Sequence, residues 1–62
     1  MKYRLVRDGE TWADTRPQAF ATFELARDYA RAMAVTWRIS VEVWKDRPGE
    51  ARPMDTVERA AP

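Results

Sequence analysis

The most regular stretch of the chain is Trp37-Arg38-Ile39-Ser40-Val41-Glu42-Val43-Trp44, where apolar and polar residues alternate almost without a break. Period-two alternation is the mark of a strand with one covered face, and it predicts a strand from Thr36 to Lys45. Trp37, Ile39, Val41 and Val43 are expected to face the core. Arg38, Ser40, Glu42 and Trp44 are expected to face away from it.

Upstream the period changes. On a wheel of about 100° per residue, Leu25, Tyr29, Met33, Ala26, Ala30, Phe23 and Ala34 fall in one arc, opposite Arg27, Arg31, Glu24 and Asp28. This predicts a helix from Phe23 to about Val35, with Thr22 as the N-cap whose hydroxyl accepts a hydrogen bond from a first-turn amide. Alanines at 26, 30 and 34 would let the helix lie close to a sheet, and Phe20 is placed to fold back over its first turn as a hydrophobic staple.

At the start, Lys2–Arg7 alternates weakly, with Tyr3 and Leu5 on one side and Arg4 and Val6 on the other. Asp8-Gly9 follows, a hairpin signal because a tight primed turn needs positive φ at both central residues. Glu10–Thr15 is then expected to be the returning strand, ended by Arg16-Pro17-Gln18. After the last strand, Asp46-Arg47-Pro48-Gly49 reads as a turn. The fold class predicted is α+β: one two-layer domain in the order β-β-α-β, with one helix on a three-stranded antiparallel or mixed sheet. The domain is expected over 1–49 and a charged, flexible C-terminal tail over 50–62, with a short strand or helical turn open around Met54 to Glu58. A single helix covers one sheet face only, which leaves the other to water or to a partner.

Length and composition narrow the functional classes. A chain of 62 residues buries only about 60% of its unfolded surface, so its core is thin. It has no cysteine and no histidine, which removes disulfides, the usual zinc ligands and the ordinary nucleophile–base pairs. No cofactor and no metal are expected. Ser40 is the only serine, and Gly9 and Gly49 are the only glycines, each accounted for by a turn, so there is no phosphate-binding loop. Asp8, Glu10 and Asp14 read as solvated turn charges. A non-enzymatic protein is expected.

The net charge is +1, with eight basic and six acidic residues over 1–45 and three basic and four acidic over 46–62. No polybasic segment draws the chain to nucleic acid or to a membrane. The opening MKYRLVRDGE has no apolar run of signal-peptide length, and cytoplasm is the expected compartment. Nine of the eleven basic residues are arginine, the side chain suited to bidentate contacts. Glu24 with Arg27, and Asp28 with Arg31, read as i,i+3 pairs on a solvent face.

Three tryptophans are many for this length. Trp37 is in register with the core; Trp12 could face either way. Trp44 shares the polar face with Arg38 and Glu42, and three readings of it stay open. It can cap the sheet under Met54 or Val57 of the tail, anchor a protein interface where tryptophan and arginine are enriched, or stack on nucleic-acid bases.

The segment FATFELARDYARAMA leading into WRISVEVW resembles the helix-then-strand segment of small bacterial and phage domains of unknown function. The β-β-α-β layout is similar to that of some phage-encoded inhibitors of bacterial defence, including certain anti-CRISPR proteins. The resemblance implies a short, single-domain protein that acts by occupying a host surface. Several such inhibitors mimic DNA with an acidic face, whereas this chain is slightly basic, so contact rather than charge mimicry is implied.

The expected partner is a protein or ribonucleoprotein complex of the host, met by Trp44, Arg38, Glu42 and Arg4, with Trp12 next to them. A homodimer through the same face or through the sheet edge is compatible with this. The alternatives are a nucleic-acid-binding or transcription-regulating module using Arg4, Arg7, Arg38, Lys45 and Trp44, and a structural subunit of a larger assembly.

Overall fold

The computed structural model describes residues 2–15 and 20–61. Strand β1 (Tyr3–Arg7) is followed by a 3-10 turn (Trp12–Asp14), helix α1 (Phe23–Thr36), strand β2 (Val41–Lys45) and strand β3 (Asp55–Val57). The strands form one antiparallel sheet in the order β1-β2-β3. One helix packs on one face of a three-stranded sheet, as the α+β reading requires, but the chain order is β-α-β-β.

The difference lies at Asp8-Gly9. Gly9 has φ +86°, and the Glu10 amide donates to the Arg7 carbonyl at 2.9 Å, so a four-residue turn does form. Among the described residues Arg38 alone is a non-glycine with positive φ, so Asp8 lacks the second positive φ that a type I′ turn needs. A turn with positive φ only at its second central residue splays the flanking segments instead of pairing them. The expected strand Glu10–Thr15 is therefore a correction. The chain leaves the sheet, turns through Trp12–Asp14, and β1 pairs with β2, with the Asp8 amide donating to the Ser40 carbonyl at 2.9 Å. The expected break at Arg16-Pro17-Gln18 lies outside the described residues.

The third strand comes from beyond residue 49. Gly49, with φ +83°, helps turn the chain back. The Met54 amide donates to the Val43 carbonyl at 2.7 Å, and the Ala60 amide to the Ala34 carbonyl at 3.3 Å. Arg27 Nε sits 3.2 Å from Asp55 Oδ2; its N–H finds no acceptor in hydrogen-bond geometry, so the link from α1 to β3 is Coulombic. Arg59 pairs with Asp8. These contacts fasten the segment expected as a tail.

Helix α1 starts as its sequence dictates: Thr22 is extended and its hydroxyl accepts from the Leu25 amide at 3.2 Å. It ends later than expected, at Thr36, with Trp37 as C-cap donating its amide to Met33 at 2.9 Å. Arg38 follows with φ +53°, the left-handed residue that commonly closes a helix. Trp37 is thus a helix end, 56% exposed, and not the first core residue of a strand. Burying Met33 and Ala34 against the sheet requires that last turn, so packing overrides the alternation that begins at Trp37.

The core is Leu5, Ala26, Ala30, Met33, Val41 and Val43, flanked by Tyr3, Phe20, Phe23, Ile39 and Val57. Alanines 26, 30 and 34 are buried, and their small size brings the helix onto the sheet. Among the described residues only Leu5, Val41 and Val43 are large and fully buried. Phe20 reaches past the first turn to Tyr29, with ring centroids 5.4 Å apart, and bridges to Tyr3, whose amide donates to the Phe20 carbonyl at 3.0 Å.

Candidate interaction surface

The sheet face opposite α1 is built by register. Arg4 lies opposite Trp44, Val6 opposite Glu42, and Glu42 opposite Thr56; residues directly opposed in an antiparallel pair project to the same side. Leu5, Val43 and Val41 take the other side, under the helix.

Arg4 is the centre of the outer face and is only 5% exposed. Its Nε and Nη2 donate to Asp46 Oδ1 at 2.9 and 2.6 Å, and its Nη1 donates to the carbonyls of Trp12 and Thr15 at 3.0 and 2.8 Å. The guanidinium carbon lies 4.0 Å from the Trp12 ring centroid, a cation–π contact. Such desolvation of a charge is tolerable because almost every donor has an acceptor. The failed hairpin has a product here: the segment that leaves the sheet folds back, and Trp12 covers Arg4. The Trp12 Nε1–H is buried and meets no acceptor, a cost of about 1–3 kcal/mol that the stacking on Arg4 must offset.

Trp44 is half-buried beside Arg4, and its Nε1 donates to Glu42 Oε1 at 3.2 Å. Trp12 therefore covers the Arg4 guanidinium and Trp44 stands opposite Arg4 on the neighbouring strand, both tryptophans partly exposed, with Glu42 partly exposed and Thr56 exposed along the same face. Of the five residues expected to make contacts, four are assembled here: Trp44, Glu42, Arg4 and Trp12. Arg4 acts as an internal tie whose donors are turned inward. Arg38 is exposed in the link between α1 and β2, off the strand. Asp46 was missed as a member of the face; its place at the end of β2 gave no sequence signal for a partner 42 positions away.

Beyond Trp44 the face carries a polar hollow of about 240 Å³ lined by Val6, Arg7, Asp8, Gly9, Glu10, Ser40, Glu42 and Thr56. Its charges are largely met within the chain: Arg7 pairs with Glu10 at 3.6 Å, Asp8 with Arg59, and Ser40 donates to Glu58 at 3.4 Å. Among the described residues no group of three or more Asp or Glu side chains is arranged to hold a metal ion, and no helix is long and apolar enough to cross a membrane.

No family model, curated protein or solved structure matches this chain. Fold and surface together define a small two-layer α+β domain with an aromatic outer sheet face.

Proposed function

We propose that this is a non-enzymatic binding protein that docks its outer sheet face on a protein partner and acts by occupying that partner's surface. The observation that carries the reading is the Trp12–Arg4–Trp44 cluster: Trp12 stacked on a buried arginine, and Trp44 opposite that arginine and bonded to Glu42, with both tryptophans partly exposed. Tryptophan at the centre of a patch is the residue type most enriched at binding hot spots. Side chains already held before contact spare about 0.5–1.5 kcal/mol each in lost freedom on binding.

The engagement of the basic residues weighs against nucleic acid. Arg4 is paired with Asp46, and Arg7 with Glu10, which leaves little free positive charge on this face to neutralise phosphates. The test is a quantitative comparison of two baits, wild type and Trp44→Ala, in extract of the source cells with and without nuclease treatment, at low and high salt. A protein set retained by wild type through high salt and lost from Trp44→Ala supports the reading. Equal retention by both baits, or retention abolished by nuclease, rejects it.

A further inference from the structure

Helix α1 carries more apolar surface than the sheet covers. Leu25 and Tyr29 are 56% and 54% exposed, as is Trp37 beyond the helix end, at 56%. Leu25, Tyr29, Ala32 and Thr36 recur at spacings of four, three and four residues, which aligns them in one seam along the helix. The seam has two unlike halves. Its N-terminal half is bulky, with Leu25 and Tyr29. Its C-terminal half is hollow: Tyr29, Ala32, Met33, Thr36 and Trp37 line a depression of about 190 Å³, and a cavity of about 150 Å³ is enough to take up a benzene ring.

We infer that this seam binds a second copy of the same chain, with the two α1 helices antiparallel about a two-fold axis that passes between Tyr29 and Ala32. Turning the helix end for end sets each Tyr29 against Ala32 of the other copy and each Leu25 against Thr36, beside the Trp37 wall. The bulky half of each copy enters the hollow half of the other, which is the self-complementarity a two-fold interface demands. Ala32 keeps the helix axes close enough for such packing. The flanking charges agree. Glu24 and Asp28 precede Arg31 on one flank of the seam, so end-for-end pairing brings Asp28 of one copy within reach of Arg31 of the other, twice. A parallel pairing would set Tyr29 on Tyr29 and Ala32 on Ala32, bulk on bulk and hollow on hollow.

The size of the patch sets the strength. Half-exposed aromatic side chains and a leucine amount to on the order of 400 Å² per copy, the range of patches that are commonly functional. Doubled, this stays below the roughly 1,200 Å² of a standard stable interface, so the dimer is weak and concentration-dependent. It leaves the outer sheet face of both copies free, and it stands or falls independently of what that face binds.

The test is molar mass by analytical ultracentrifugation over a micromolar-to-millimolar series. Wild type should rise from one chain toward two. Leu25→Glu, at an exposed position whose loss spares the core, should keep its helical circular dichroism and weaken dimerisation by about tenfold or more. Asp28→Arg and Arg31→Asp should each weaken it alone, and an equimolar mixture of the two should restore it. A wild type that stays monomeric throughout, or a Leu25→Glu variant that dimerises like wild type, overturns the inference. So does a dimer that Thr56→Arg abolishes while Leu25→Glu does not.

Discussion

Arg4 Nε and Nη2 both donate to Asp46 Oδ1, at 2.9 and 2.6 Å, and tie the first strand of the sheet to the turn that leaves its central strand. The two side chains are 7% and 13% exposed, so the pair is close to buried, and removing one member strands the other. Asp46→Ala is expected to cost about 3 kcal/mol. Arg4→Lys should cost nearly as much, because an ammonium cannot reach Asp46 and two carbonyls from one position. The urea midpoint measures both. A loss below about 1 kcal/mol for Asp46→Ala would class the pair with exposed salt bridges.

Arg38 holds a left-handed conformation, with φ +53°, which costs an L-residue about 1–2 kcal/mol. Arg38→Gly should stabilise the domain by about 0.5–1 kcal/mol after the extra flexibility of glycine in the unfolded chain is counted. Arg38→Val should destabilise it, since a β-branched side chain tolerates that region least. Thermal melts of the pair should move in opposite directions.

Strand β3 is part of the fold, so removal of residues 54–62 should abolish cooperative unfolding. The loss includes the Met54–Val43 backbone bond, the Val57 contact with the core and the Arg59–Asp8 pair. A domain of this length holds only about 0.05–0.15 kcal/mol per residue in total. A truncated chain with a wild-type urea transition would mean that the segment is a passenger.

Leu5 is fully buried at the centre of the core. Leu5→Ala should cost about 2–5 kcal/mol, a large part of the stability of so small a domain, and should leave little folded protein at physiological temperature. Circular dichroism of the variant with and without a stabilising osmolyte reads this directly, as recovery with osmolyte separates a weakened fold from a different one.

These expectations rest on features of unequal visibility in the sequence. The Thr22 cap, the alanine-lined helix, the turn at Gly49 and the inward Val41 and Val43 were legible because each depends on local spacing. The outer face was legible in part: alternation put Glu42 and Trp44 together, and the weak alternation of the first strand put Arg4 on a polar side. What failed depends on non-local competition. Asp8-Gly9 chose a turn that splays its flanks, and Glu10–Thr15 became a cover for Arg4. Asp55–Val57 is too short to show a period, and it became a strand only because β2 offered it an edge. The apolar arc of α1 ran on past what three strands can cover, so Leu25 and Tyr29 face outward although the wheel counts them with the core.

The two faces of this domain are proposed to take different occupants: a foreign protein on the outer sheet face and a second copy on the helix seam. The most direct measurement is photo-crosslinking in the source cells, with one variant carrying the probe at Thr56, exposed on the outer face, and another carrying it at Val35, exposed on the flank of α1. The probe at Thr56 should yield an adduct with a different protein, and the probe at Val35 an adduct of twice the chain's mass. Adducts only to itself from Thr56, or a foreign protein from Val35 and none from Thr56, would contradict the assignment of the sheet face.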